Sequence, residues 1–433
     1  MNTNKKANKV NNINTNKILE VMNMMKNVNI KEKIYLVGKI DDRDVPFHRL
    51  TLTKGTTYNS YLLLTEKPTI IDTVDISFGR EYIESLKTLI NLEKIQYIVI
   101  NHTEPDHSGA LGSLAYNAKN ATIVCTEKAV DQLKAMYKLH NRTFLVVKDG
   151  DNLDIDGETL EFMETPYLHT EETMVTFAKE NKILFPCDIF STHVANYEYF
   201  NDKAKEDILE DFKTYYSLIM HPHRRYVQNM IRKIRTLDME IIAPSHGFIL
   251  RDNAEKFINI YDEMSKNTNV DKKVLILYST MTNNTKKISQ LIKGYLEKDN
   301  INTELIDVNK TSDEEILKNV KTADAILVGT STRYADMIGK LEDVLKSLKG
   351  MNLENKIAAA FGSYGWSGEG IEVVQDYLNE TNMKVLSTSH IIKSTGMTDV
   401  KFPIRIKFSP EEKDKKEIKK ATIFISDLLL NSI

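Results

Sequence analysis

Apolar and polar positions along this chain fall into two regimes. From Lys33 onward short apolar runs dominate, among them Ile34-Tyr-Leu-Val, Tyr61-Leu-Leu-Leu, Thr69-Ile-Ile-Asp, Ile95-Gln-Tyr-Ile-Val-Ile and Thr122-Ile-Val-Cys. Runs of this length, rich in β-branched residues and bounded by polar turn formers, predict buried strands. A helix predicted over Glu81 to Ile90 interrupts them, so the first half reads as an α/β unit with mixed sheets. From Val274 the pattern becomes regular. Strands predicted at Val274–Tyr278, Thr303–Asp307, Ala325–Gly329 and Lys356–Gly362 alternate with helices at Thr285–Leu296, Asp313–Val320, Ile338–Leu348 and Gly370–Leu378. Such alternation predicts a parallel sheet with helices on both faces. A charged amphipathic helix from about Pro410 to Leu430 closes the chain. Residues 1 to about 30, rich in Asn and Lys, are expected to form a solvated tail with only a short, weakly helical stretch around Ile18 to Met25. A helix from Ala254 to Met264 and then the polar stretch Ser265-Lys-Asn-Thr-Asn-Val-Asp-Lys-Lys, read as a linker, place the domains at 31–267 and 268–433.

Composition narrows the class. With 433 residues, 41% of them hydrophobic, the chain is too long for one ordinary core. A net charge of -3 gives no electrostatic case for nucleic acid or an anionic membrane. The two cysteines, Cys125 and Cys187, lie in apolar strand-like runs and cannot build a disulfide framework, which fits a reducing cytosol. No apolar run approaches the roughly 18 residues of a membrane span, and the N-terminus lacks signal-peptide features. The expectation is a soluble cytoplasmic protein.

Candidate chemistry gathers at strand ends. The run ending at Ile100 leads into His102-Thr-Glu-Pro-Asp-His107, placing four metal-capable side chains on one loop. Three further runs end at such residues: Leu160-Glu-Phe-Met-Glu-Thr-Pro leads to His169, Lys182-Ile-Leu-Phe-Pro-Cys to Asp188, and Met239-Glu-Ile-Ile-Ala-Pro-Ser to His246. The first run is similar to the H-x-H-x-D-H of the metallo-β-lactamase superfamily, with Glu104 replacing an imidazole. A carboxylate there hardens the site toward iron or manganese rather than zinc. The expected assignment gives His102, Glu104 and His169 to one ion, Asp106, His107 and His246 to the other, and Asp188 to both as a bridge. Burying these carboxylates and imidazoles together without a cation would be expensive. His140, His193, His221, His223 and His390 lack such context and are left out. His48 is expected either as a proton donor near the metals or as an ordinary structural histidine.

The second domain carries the signature of a mononucleotide. Ser279-Thr-Met-Thr-Asn-Asn-Thr285 ends its first strand and opens a helix, so Ser279, Thr280, Met281, Thr282, Asn283, Asn284 and Thr285 are expected to wrap a phosphate. No G-x-G-x-x-G turn suited to a pyrophosphate is present there. Thr330-Ser331-Thr332-Arg333-Tyr334 and Ser363-Tyr364-Gly365-Trp366-Ser367-Gly368 are expected as ring-binding loops. Tyr334, Tyr364 and Trp366, the only tryptophan, are candidates to flank an isoalloxazine, which points to FMN.

A domain with His102-x-Glu104-x-Asp106-His107 followed by one with these loops resembles the flavodiiron proteins over roughly residues 31 to 433. The resemblance implies an N-terminal metallo-β-lactamase-like αββα sandwich and a flavodoxin-like doubly wound parallel sheet. It implies FMN, two non-haem irons, and reduction of dioxygen to water or of nitric oxide to nitrous oxide, with dioxygen preferred here. It also implies a head-to-tail homodimer, or a dimer of dimers. His48 and Trp366 are the expected catalytic residues beside the ligands already named. Two departures stand out: Asn283 replaces a common Gly, and Ser331-Thr-Arg-Tyr-Ala-Asp lacks a Pro and paired Asn. With no rubredoxin-like Cys-x-x-Cys pair appended, electrons are expected from a separate rubredoxin, reduced deazaflavin or flavoprotein reductase. Rival readings are a dinuclear zinc hydrolase fused to a flavodoxin module and an electron-transfer protein with a vestigial metal domain.

Overall fold

The computed structural model describes residues 24–47, 50–266 and 271–430. The chain divides into two compact units, Met1–Lys266 and Asn267–Ile433.

The first unit stacks two sheets. One has the order β1 (Met24–Lys31), β2 (Ile34–Asp41), β5 (Thr56–Leu63), β6 (Thr69–Ile71), β7 (Tyr97–Val99), β8 (Thr122–Cys125), β9 (Phe144–Val146), with a separate hairpin of β3 (Val45–Phe47) and β4 (Leu50–Leu52). The other has the order β10 (Asn152–Asp154), β11 (Thr159–Glu164), β12 (Met174–Ala178), β13 (Ile183–Phe185), β14 (Ile241–Ile242). The period of two in each strand splits its apolar residues between layers. In β7 and β8, Val99 and Val124 face the inter-sheet core with Phe162, Phe185 and Ile249. Ile98 and Ile123 face Leu86, Leu114 and Leu133 on outer helices. The other sheet turns Val175, Phe177 and Leu184 outward to Phe212, Ile231 and Tyr261. Both faces are therefore covered, which is why these strands read as unbroken apolar runs. Four layers, αββα, result.

The N-terminal tail expectation needs correction at its end. Residues 1–23 lie outside the described part, but from Met24, where weak helix was expected, the chain forms β1, paired antiparallel with β2. Ile30 is buried in the inter-sheet core and Val28 packs against it, so alternate apolar residues anchor this polar edge strand. Lys31 Nζ meets Glu240 at 2.7 Å.

In the second unit β15 (Lys273–Tyr278), β16 (Asn302–Asp307), β17 (Ala325–Ser331), β18 (Ile357–Tyr364) and β19 (Lys384–Val385) run in the order β16-β15-β17-β18-β19, and β20 (Ile404–Lys407) also pairs with β18. Every pairing is parallel. Val274 and Ile276 face one core while Leu275 and Leu277 face the other, as helices on both sides require. The strand order reverses between β15 and β17, so the loops following them open a crevice at the carboxyl edge. Gly329 lets Phe361 lie flat on β17, because a Cβ there would collide with the phenyl ring.

Candidate metal centre and flavin loops

The chain leaves β7 at Val99 and reaches His102 within three residues. A single helical turn, Pro105–Ser108, follows with Glu104 at its N-cap and Pro105 first inside it. Ser108 Oγ donates to the Thr103 carbonyl at 2.6 Å, and the His107 carbonyl accepts from Thr73 N–H at 2.6 Å and Thr73 Oγ1 at 2.7 Å. The loop is thus pinned at both ends to the strand framework. From the other sheet, Asp188 stands three residues past β13 and His246 four past β14. Gly247, with φ of 76°, must be glycine because any Cβ would strike Thr192. Across the sandwich, Asn59 Nδ2 and Tyr61 Oη donate to the Pro244 carbonyl at 2.8 and 2.6 Å.

These elements bring all the expected metal residues together in two groups. His102, Glu104, His169 and Asp188 form one and Asp106, His107 and His246 the other, with potential ligand atoms within 4.8 Å of one another in each. Asp188 faces both. Its Oδ2 lies 3.6 Å from His102 Nε2 and 3.1 Å from His169 Nε2, while its Oδ1 lies 3.0 Å from His107 Nε2 and 3.4 Å from His246 Nε2. Glu104 Oε2 stands 3.5 Å from His102 Nε2, and Asp106 Oδ2 stands 3.4 Å from His107 Nε2. Ligands bound at about 2.1 Å and at right angles stand about 3 Å apart, so this spacing suits neighbours on a shared ion. His102 Nε2, His107 Nε2 and Asp188 Oδ1 are buried and close, yet none aligns as a hydrogen bond. They converge on common points rather than on each other.

Electrostatics agree with that fit. Burial pulls the His102 imidazole down, but Glu104, Glu172 and Asp188 outweigh it and raise it well above its ordinary value. His246 behaves alike: burial opposes, Asp106 and Asp188 prevail, and its pKa rises to about 10. Burial pushes Asp188 up, yet the His107, His169 and His246 imidazoles hold it well below the usual carboxylate range. The neighbouring carboxylates raise His102, His107 and His246 above their ordinary values, and this excess of negative charge is a demand that a pair of divalent cations would meet.

Two supporting residues gave no signal in the sequence reading. Glu172, buried, accepts from His102 Nδ1 at 2.8 Å, Thr103 N–H at 3.2 Å and Thr103 Oγ1 at 2.9 Å, all on Oε1. This fixes the His102 tautomer and turns Nε2 into the site. His193, left out on sequence grounds, lies with its ring 4.7 Å from that of His246, and its Nδ1 is 2.9 Å from Thr56 Oγ1. A lone histidine five residues past Asp188 has no spacing that distinguishes it, and only the fold brings it to His246. His48 lies outside the described residues. Of the other histidines left out, His140 and His390 are exposed, His221 is partly buried and His223 is buried.

In the second unit the loop after β15 enters the helix Asn284–Lys298 through Asn283, whose φ of 63° is left-handed. Asn tolerates that conformation, and the departure from Gly is therefore accommodated. Thr285 Oγ1 lies 3.0 Å from Ser331 Oγ and 2.8 Å from Ser363 Oγ, which ties the three expected flavin loops into one hydroxyl cluster. Ser279 Oγ accepts from Asn309 Nδ2 at 2.8 Å. Thr280 Oγ1 and Thr332 Oγ1 are buried without partners, a need that phosphate or ring oxygens would satisfy. Met281, Thr282 and Asn283 are exposed at the rim, Tyr334 and Trp366 are 87% and 92% exposed, and Tyr364 is half-buried. Arg333 stacks on Tyr334, with its guanidinium 4.8 Å from the ring centre.

A buried double metal site on an αββα sandwich, joined to a doubly wound sheet with a hydroxyl-lined phosphate loop, defines an oxidoreductase that pairs metal with flavin. Comparison with known proteins agrees. The beta-lactamase model of the ODP family matches residues 56–247 and the flavodoxin model residues 276–420. An anaerobic nitric oxide reductase flavorubredoxin of Salmonella typhi is 36% identical over 364 residues, covering 82% of this chain and 76% of the relative. That of Vibrio vulnificus is also 36% identical, over 82% of this chain and 74% of the relative. The crystal structure of the flavodiiron protein from Giardia intestinalis matches with a TM-score of 0.55 at 25% identity, covering 93% of this chain and 97% of its own. Rubredoxin oxygen:oxidoreductase from Desulfovibrio gigas matches with a TM-score of 0.54 at 28% identity, covering 93% and 98%. The chain belongs to the flavodiiron protein family. Its cofactors are accordingly FMN and a non-haem diiron pair, and the two clusters described above are groups of His, Asp and Glu that could hold metal ions.

Proposed function

We propose that this chain is a nitric oxide reductase, converting two NO with two electrons and two protons to N2O and water. The choice of substrate rests on the 36% identity to relatives named anaerobic nitric oxide reductase flavorubredoxin. The residue set suits it. His102, Glu104 and His169 would hold one iron, Asp106, His107 and His246 the other, and Asp188 both. When bound, the irons supply single electrons at two adjacent centres and FMN supplies a two-electron store. Glu172 and the Thr57 carbonyl, which lies 2.5 Å from His246 Nδ1, keep the imidazoles facing inward. Ser279 to Thr285 would hold the FMN phosphate, and Thr330 to Tyr334 with Ser363 to Gly368 the ring, Trp366 lying against it.

A second reading, dioxygen reduction to water with four electrons and four protons, is favoured by the likeness to rubredoxin oxygen:oxidoreductase at 28% identity. Both sets of names support a rubredoxin-type electron donor, with a deazaflavin or a reductase as further sources. A head-to-tail homodimer or dimer of dimers belongs to the same proposal. So does a cytoplasmic location, which agrees with two free buried cysteines and with the lack, among the described residues, of a helix long and apolar enough to cross a membrane.

The deciding experiment supplies the iron- and FMN-loaded chain with reduced rubredoxin under anaerobic conditions and follows NO loss and N2O by gas chromatography. One N2O per two NO supports the proposal. Dioxygen consumption without N2O formation moves the assignment to the second reading, and activity toward neither gas removes both.

A further inference from the structure

Arg405 sits on β20, outside every segment with a flavin signature, yet its guanidinium reaches across to the loop that carries Trp366. The parallel pairing of β20 with β18 sets Gly362 against Arg405 and Tyr364 against Lys407. From there one arm of the guanidinium donates to Glu372 Oε1 at 2.6 Å, and the other donates to the Ser367 carbonyl. The same group lies 5.5 Å from the centre of the Tyr364 ring. Gly368, with φ of 77°, is needed for this contact, since a Cβ there would come within 3.0 Å of both Arg405 Nη2 and Tyr364. Below the loop, the Phe408 N–H donates to the Tyr364 carbonyl at 2.8 Å.

We infer that Arg405 is a positioning residue for the flavin, strapping the turn Gly365–Gly368 to the helix Glu369–Asn379 so that Tyr364 and Trp366 are held ready before FMN arrives. Three features separate this from an ordinary surface ion pair. The acceptor on the loop is a backbone carbonyl, so the bond fixes chain position rather than a mobile side chain. The planar fork serves Ser367 and Glu372 at once while its face covers an aromatic ring, which an ammonium group cannot do. Trp366 itself is almost wholly exposed, so neighbouring side chains do little to fix the turn it rides on. Preorganising a binding loop improves affinity by removing its ordering cost from the binding step.

The inference rests on reading residues 363–368 as a flavin loop, and its test reports on the loop directly because Trp366 is the only tryptophan in the chain. In the full-length, FMN-depleted protein, Arg405→Ala should lower the fluorescence anisotropy of Trp366 and increase its quenching by acrylamide. The same variant should raise the dissociation constant for FMN by about tenfold, the scale of one charge-assisted hydrogen bond. Arg405→Lys should restore neither property. Glu372→Gln, which leaves the packing of Arg405 in place and removes only the charge of its anchor, should move both in the same direction by less, and it stands in if the alanine variant does not fold. Unchanged anisotropy with unchanged FMN affinity would overturn the inference. So would weaker FMN binding with unchanged anisotropy, since Arg405 would then act on the ligand rather than on the loop. If the parent chain took up no FMN, the flavin reading would fail by itself, and the anisotropy comparison would still decide whether Arg405 fastens the turn.

Discussion

Glu172 offers the sharpest test of how the metal loop is supported. Its carboxylate is 2% exposed and receives three hydrogen bonds on one oxygen, from His102 Nδ1, Thr103 N–H and Thr103 Oγ1. Burial alone would push this carboxyl up, but the His102 imidazole holds it well below the usual carboxylate range. Glu172→Gln keeps an acceptor oxygen where all three donors point and removes only the charge. Supporting carboxylates of this kind contribute roughly 10- to 100-fold to metal affinity, and retaining the acceptor argues for the lower end, about 1.4 kcal/mol. Glu172→Ala also strands the buried Thr103 N–H and frees the His102 ring to turn, so the upper end applies, about 2.7 kcal/mol. Competition for ferrous iron against a coloured chelator measures both, with circular dichroism of the whole chain as the control for folding. Metal retention by Glu172→Ala equal to that of the parent chain would refute the reasoning, because His102 would then be oriented by something other than this carboxylate.

Further expectations follow from the same geometry. Asp188→Asn removes the charge that both groups of imidazoles share, so the chain should lose its metals and all gas turnover while keeping FMN; metal analysis beside the flavin absorbance checks this. In the metal-free protein His246 has a folded pKa of about 10 against an unfolded value of about 6.5. Its contribution to stability is therefore complete below pH 6.5 or so and is lost as pH rises toward 10, and thermal melts of the chelated protein should fall across that window. Melts that stay flat there would show that His246 is not protonated in the folded state. Asn283→Ala places a residue with no affinity for the left-handed region at φ of 63°, costing about 1 kcal/mol in chemical denaturation of the second unit.

The strand ends that carry chemistry were legible because each follows an apolar run whose burial fixes where the next polar residues emerge. His102, Glu104, Asp106 and His107 needed only that rule, and His169, Asp188 and His246 needed its repetition. Glu172 was not legible: it lies in the polar stretch Thr170-Glu-Glu-Thr, where nothing local marks which carboxylate turns inward. His193 and Arg405 escaped for a related reason, since each acts through a neighbour brought close only by sheet pairing or by packing across the sandwich. The strand β1 was hidden by Asn and Lys on its solvent side, although Val28 and Ile30 keep the period of two. In the second unit alternation exposed β15 to β18 and their helices, whereas β19, with two residues, and β20, with four, are too short for any periodicity to register.

One feature of the metal centre reaches beyond catalysis. His102, Glu104, Asp106 and His107 hang from one sheet of the sandwich, while Asp188 and His246 hang from the other, and Asp188 touches both groups. A metal pair held there works as a rivet through the two layers. Separating the sheets would require extracting both ions, so the loaded chain gains stability that the empty chain lacks. The iron-free chain is therefore expected to melt at a lower temperature than the iron-loaded one, and a less stable chain is more open to unfolding and proteolysis.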